Sequence, residues 1–88
     1  MSAESQDFVL RMFRELAGAR EKHPDEEGQL TDAEWLAVLT EEVGECARAI
    51  QDETDDRLKE ELGHVAAMAL RWYISIPRGR QRPPWSGR

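Results

Sequence analysis

Apolar residues recur at spacings of three and four in three stretches of the chain, and no stretch alternates in the manner of a β-strand. Helices are therefore predicted over about residues 4–22, over about residues 31–52, and from the end of the acidic link DETDD to residue 76. Pro24 and Pro77 follow the first and third stretches, and proline cannot continue the interior of a helix. The pattern predicts an all-α protein.

The second helix has a clear start signal. Thr31 and Glu34 have the Thr-x-x-Glu spacing of a capping box, in which two side chains satisfy backbone N–H groups at the start of a helix. The link between the second and third helices is so short that the two must form an antiparallel hairpin. We expect the first helix to cover one side of this hairpin, and oligomerisation with another chain to complete a helix bundle.

Length and composition limit the possible settings of the protein. A chain of 88 residues forms one small domain, which buries only about 60% of the surface of its unfolded chain. Cys46 is the single cysteine, so no intrachain disulfide forms and a reducing, cytoplasmic compartment is expected. The sequence has neither a signal segment nor an apolar run of about 20 residues, so we expect neither secretion nor membrane insertion.

The charge is distributed unevenly along the chain. All 18 acidic residues fall within residues 1–76, whereas the last twelve residues carry four arginines and no acid. We therefore predict a folded domain over residues 1–76 and a basic Pro/Arg tail over residues 77–88, expected to be disordered. The domain is too acidic to bind a nucleic acid polymer, which requires a basic face.

Three glutamates lie beside or within the predicted apolar stripes, where an ionised carboxylate is energetically unfavourable. Glu42 and Glu45 are one turn apart beside the apolar stripe of the second helix, and Glu61 lies within the stripe of the third. The antiparallel hairpin brings this pair towards Glu61 and His64, because the two sets are similarly far from the link. Acidic residues on a helix are usually solvated, but three grouped beside a core need a compensating charge. A divalent cation with oxygen ligands, Mg²⁺ or Mn²⁺, supplies it.

Two motifs carry a family resemblance. EEVGE at residues 41–45 and EELGH at residues 60–64 resemble the EExxE…ExxD signature of MazG-like nucleotide pyrophosphohydrolases, and the similarity covers about residues 31–76. The resemblance implies an all-α enzyme that cleaves nucleoside triphosphates to a monophosphate and pyrophosphate, and that assembles as a homodimer or homotetramer. It also implies that Glu42, Glu45 and Glu61 bind the metal and that Glu41 orients a ligand or the attacking water.

His64 departs from the family pattern, which has aspartate at this position. An imidazole could act as a softer metal ligand, better suited to Mn²⁺, Zn²⁺ or Ni²⁺ than to Mg²⁺. Alternatively, a protonated His64 could pair with Glu61 or Glu45 and replace the cation, which would leave a catalytically inactive helical dimer with a regulatory or interaction role. A third possibility is that His64 faces solvent and that the three carboxylates suffice.

Two further residues are candidates for substrate binding. Trp35 shares a row with Glu42 and Glu45 and could stack on a nucleobase, although a place in the core or at a dimer contact is the alternative. Arg48, one turn beyond Glu45, could contact a phosphate or form a surface ion pair.

Overall fold

The computed structural model describes residues 1–52 and 54–80. This part of the chain contains three helices and no strand: α1 (Ala3–Lys22), α2 (Asp32–Asp52) and α3 (Asp55–Ser75). The all-α prediction is confirmed. α3 begins inside the predicted link, because the Thr54 hydroxyl accepts a hydrogen bond from the backbone N–H of Arg57 at 3.2 Å and so caps the helix start.

The predicted capping box at the start of α2 is confirmed. The backbone N–H of Thr31 donates to Oε1 of Glu34 at 2.8 Å, and the backbone N–H of Glu34 donates to Oγ1 of Thr31 at 3.1 Å. Each side chain thus satisfies a backbone donor that the helix itself leaves unpaired.

α3 is the central helix of the fold. Both α1 and α2 pack against α3, and within residues 1–52 and 54–80 α1 and α2 do not pack against each other. The approach of α1 is close at Gly63, where an added Cβ atom would lie 3.3 Å from Cβ of Arg11. This arrangement leaves a cleft between α1 and α2 whose floor is α3.

The apolar core of a single chain is small. Among the described residues the buried apolar side chains are Leu16, Trp35, Ala49 and Ala67, and Glu61 and Arg71 are buried with them. The predicted apolar stripe of α2 is only partly covered, because α3 packs against the face of α2 that carries Trp35 and Ala49. Exposed members of the stripe repeat every seven residues: Leu36, Val43 and Ile50.

The predicted tail is described only in part. Residues 77–80 form a turn in which the backbone N–H of Arg80 donates to the carbonyl of Pro77 at 3.3 Å. The Arg80 guanidinium donates to Oδ2 of Asp32 at the start of α2, at 2.9 Å. Residues 81–88 lie outside the described residues, so the division into a domain and a disordered tail stays a prediction. No helix in residues 1–52 and 54–80 combines the length and apolar character needed to cross a bilayer.

Candidate metal centre

Three of the predicted ligands converge where α3 passes between α1 and α2. Glu42 comes from α2, and Glu61 and His64 come from successive turns of α3. One possible ligand atom from each residue lies within 4.8 Å of the other two. The hairpin therefore brings Glu42 against Glu61 and His64, as their distances from the link predicted.

Glu61 is the most buried member of this group, with only 3% of its side chain exposed. Its Oε1 atom lies 2.8 Å from a guanidinium nitrogen of Arg57, and its Oε2 atom lies 3.2 Å from Nδ1 of His64. A buried carboxylate is costly unless it is paired, and both oxygens of Glu61 have partners within the chain. The sequence reasoning missed Arg57, although its position four residues before Glu61 was a usable signal.

The imidazole of His64 lies between three carboxylates. Its Nδ1 atom is 3.2 Å from Oε2 of Glu61 and 3.5 Å from Oε2 of Glu42. Its Nε2 atom, on the other side of the ring, is 2.8 Å from Oε2 of Glu15 on α1. The sequence reasoning missed Glu15 because no motif contains it and only the packing of α1 on α3 brings it to the ring.

Burial and neighbouring carboxylates both act on the titratable groups of the site. Burial is the main cause that raises the pKa of the Glu42 carboxyl, and repulsion from Glu61, Glu45 and Glu41 adds to it, while attraction to His64 opposes it. Burial also raises the pKa of the Cys46 thiol, with further repulsion from Glu61 and Glu42. Both pKa values are raised, as expected for acidic groups that are partly buried beside other carboxylates. Such a site favours a cation.

A cleft opens directly beside these carboxylates. It encloses about 330 Å³ between α1 and α2. Its lining includes Glu42 and His64 of the group just described, together with Glu15, Lys22, His23 and Met68. The cleft thus places cationic and apolar groups near the three converging ligands, which suits a molecule with both anionic and apolar parts.

The comparison with family models bears directly on these residues. Residues 30–72 match the MazG nucleotide pyrophosphohydrolase domain. The match confirms the resemblance drawn from the two motifs, and it covers α2 and most of α3 but not α1. Comparisons with curated proteins and with solved structures find no match.

The other acidic residues of the MazG signature lie outside the group of three. The Glu45 side chain is 41% exposed and pairs with Arg48 at 3.7 Å. Glu41 is exposed. Both still act on the site at a distance, since each contributes to the raised pKa of Glu42. Arg48 is thus in the surface ion pair that was the alternative to a phosphate contact.

Trp35 does not lie at the mouth of the cleft. It is 1% exposed, and the guanidinium carbon of Arg71 lies 5.4 Å from the centre of its ring system. With its faces covered, the indole offers no surface for a base to stack on in this conformation. The structure favours the interpretation of Trp35 as a core residue.

Arg71 is a buried charge that the sequence reasoning missed. It is 1% exposed and lies at the end of α3, against the loop between α1 and α2. Its guanidinium donates to Oε2 of Glu27 at 2.8 Å, to Oε1 of Glu26 at 3.2 Å and to the carbonyl of His23 at 2.9 Å. These bonds attach the loop to α3 and so hold one end of the cleft in place.

The donor set at the centre of the site fits a divalent cation. Two carboxylates and one imidazole are typical ligands of Mn²⁺ and of the later first-row metals, whereas Mg²⁺ prefers oxygen ligands alone. The observed separations of 3.2 Å and 3.5 Å between Nδ1 of His64 and the two carboxylate oxygens suit neighbouring ligands of one ion. At bond lengths of about 2.1 Å, neighbouring ligands are about 3.0–3.4 Å apart.

Proposed function

We propose that the protein is a divalent-metal-dependent nucleoside triphosphate pyrophosphohydrolase, which converts a nucleoside triphosphate and water to a monophosphate and pyrophosphate. One observation carries the proposal: Glu42 and Glu61 of the matched MazG segment converge with His64 at the wall of a cleft. Burial is the main cause of the raised pKa of Glu42, and the repulsion from Glu61, Glu45 and Glu41 that adds to it supports the use of a cation there.

Each site residue has a distinct part in this proposal. Glu42, Glu61 and His64 would hold the cation, Mg²⁺ or Mn²⁺, and Glu45 is proposed as a further ligand. Glu41 orients the attacking water. When bound, the cation neutralises charge on the phosphates and lowers the pKa of a bound water. Lys22, which lines the cleft, would attract the phosphate chain by its charge.

The proposal also includes a homodimer or homotetramer. Leu36, Val43 and Ile50 form an exposed apolar row on α2, with 53% of Val43 accessible in the single chain. Exposed apolar residues repeated every seven positions are typical of a helix that packs on another helix. The proposal places the protein in the cytoplasm. It includes neither a membrane nor a nucleic acid polymer as a partner.

A second candidate function is a catalytically inactive helical dimer with a regulatory or interaction role. The observation that favours it is the compensation of charge within the chain, since Glu61 already pairs with Arg57 and His64 contacts three carboxylates. In this case a protonated His64 takes the place of the cation.

Pyrophosphate release separates the two candidates. The wild type is assayed with a panel of nucleoside triphosphates in Mg²⁺ and in Mn²⁺, beside Glu61→Gln, His64→Asp and the control Glu21→Gln, which removes an exposed acid at the end of α1. We expect metal-dependent release in the wild type and in the control, and a loss of about 100-fold or more in Glu61→Gln. A wild type inert with every metal and nucleotide, beside an active His64→Asp variant, would establish the inactive dimer instead.

A further inference from the structure

Glu15 is the site residue that no motif accounts for. It lies on α1, outside the matched residues 30–72, and its Oε2 atom is 2.8 Å from Nε2 of His64. We propose that Glu15 is a positioning residue that makes His64 a nitrogen ligand, and that it thereby shifts the preference of the site from Mg²⁺ towards Mn²⁺ and Co²⁺. The inference rests on the metal site of the proposed function.

The argument starts from the two nitrogens of the ring. A neutral imidazole has one N–H donor and one nitrogen with a free lone pair, and the partner of the first nitrogen decides which is which. An ionised carboxylate only accepts hydrogen bonds. Both ring nitrogens of His64 face carboxylate oxygens, and the contact of Nε2 with Glu15, at 2.8 Å, is shorter than those of Nδ1 with Glu61 and Glu42. In the neutral ring the shorter contact favours the proton on Nε2, which leaves the lone pair on Nδ1 for a cation.

Nδ1 faces the two carboxylates that would share a cation with it. Nδ1 is the His64 atom that approaches Oε2 of Glu61 at 3.2 Å and Oε2 of Glu42 at 3.5 Å. Glu15 contacts the ring on the opposite side, so it acts through His64 and is not itself a ligand. A carboxylate that fixes a histidine in this way is a recurrent companion of metal-bound histidines, and its removal typically costs about 10–100-fold in metal affinity.

The expected consequence is a change in which metal binds best. Affinity for an imidazole nitrogen rises along the first-row series from Mn²⁺ to Co²⁺ and Ni²⁺, whereas Mg²⁺ gains little from it. A site with a correctly held Nδ1 lone pair should bind Co²⁺ and Mn²⁺ in preference to Mg²⁺. Loss of the Glu15 carboxylate should reduce this preference, and not only the overall affinity.

The test compares two variants at the same position. Glu15→Ala removes the acceptor, whereas Glu15→Gln removes the charge but keeps an amide oxygen that can accept the Nε2 proton. Glu21→Ala is the control for loss of an exposed acid on the same helix. For all four proteins, calorimetric titration gives the Co²⁺ and Mg²⁺ affinities, the Co²⁺ absorption spectrum reports nitrogen ligation, and circular dichroism checks folding.

We expect Glu15→Ala to lose about 10–100-fold in Co²⁺ affinity, with a smaller loss for Mg²⁺ and a changed Co²⁺ spectrum. Glu15→Gln should keep most of the Co²⁺ preference, and Glu21→Ala should match the wild type. Equal losses for Co²⁺ and Mg²⁺ in both Glu15 variants, with an unchanged spectrum, would show a simple charge effect and overturn the inference while leaving the metal site intact. A wild type that binds neither ion would overturn the proposed function as well.

Nitrogen-15 NMR gives a readout that does not need metal. The tautomer of His64 can be read from its ring nitrogens, and a His23→Gln background leaves one histidine to assign. We expect the Nε2–H form when Glu15 is present and a mixture of forms in Glu15→Ala. A neutral ring that carries its proton on Nδ1 in the wild type would overturn the inference.

Discussion

Replacement of Glu27 by glutamine should destabilise the fold through the loop that bounds the cleft. The two oxygens of Glu27 accept hydrogen bonds from Arg20 at 2.7 Å, and Oε2 also accepts one from the buried Arg71 at 2.8 Å. These contacts, the hydrogen bonds from Arg20 first, lower the pKa of the Glu27 carboxyl from 4.5 to about 2. Glutamine keeps the shape of the side chain but removes the charge that the two guanidinium groups share.

The magnitude follows from the pKa shift and its screening. A change from 4.5 to about 2 corresponds to roughly 3 kcal/mol of unfolding free energy, at about 1.4 kcal/mol per unit. Solvent screens part of this, because the Arg20 side chain is 43% exposed, and surface pairs contribute only about 0–1 kcal/mol. Arg71 also keeps Glu26 and the His23 carbonyl as partners. We therefore expect Glu27→Gln to lower the unfolding free energy by about 1–2 kcal/mol at neutral pH.

The dependence on pH has a definite sign. Because the folded-state pKa of Glu27 lies below the unfolded value, its contribution is fully present above about pH 4.5 and is lost as the pH falls towards about 2. Urea unfolding followed by circular dichroism, at one protein concentration and from pH 7 to pH 3, measures it. The difference between wild type and Glu27→Gln should narrow below pH 4.5. The matched control is Arg20→Gln, which removes the exposed partner and should cost less than Glu27→Gln.

Two results would refute this reasoning. A destabilisation by Glu27→Gln below about 0.5 kcal/mol at neutral pH would mean that the pairing with Arg71 contributes little, as for ordinary surface pairs. A difference from wild type that stays constant down to pH 3 would mean that the effect comes from local packing and not from the ionised carboxylate.

Three other outcomes are expected. Gly63→Ala should lower the Tm, because the added Cβ would lie 3.3 Å from Cβ of Arg11. Gly44→Ala should raise the Tm, because the added Cβ meets open space and alanine favours the helix. Equal changes in Tm for the two variants would contradict the close packing of α1 on α3. Val43 lies in the exposed apolar row of α2 that the proposed oligomer would bury. Val43→Lys should therefore reduce the mass measured by light scattering to that of one chain, and an unchanged oligomer mass would exclude this row as the contact between chains. The Mn²⁺ affinity measured by calorimetry should begin to fall at a higher pH than it would with an ordinary carboxylate ligand, because the raised pKa of Glu42 lets a proton compete with the metal. An unchanged Mn²⁺ affinity in Glu42→Gln would exclude Glu42 as a ligand.

Local patterns in the sequence were enough to predict the helices and the start of the site. Periodicity and the Thr31–Glu34 capping box depend on residues close together in the chain, so they identified α2 before any packing was known. The short link made the hairpin antiparallel, and the similar distances of the Glu42–Glu45 pair and the Glu61–His64 pair from it predicted that the two pairs face each other. In the structure Glu42 of the first pair meets both members of the second. These are consequences of helix geometry and chain length alone.

Contacts with α1 and its loop depended on tertiary structure. Glu15 reaches His64, and Glu27 reaches Arg71, because α1 and the loop after it pack against α3, which α1 approaches closely at Gly63. No spacing in the sequence encodes that crossing, since it results from the packing of whole helix faces against each other. For the same reason the sequence left the role of Trp35 open, and only the folded chain buries it beneath a guanidinium.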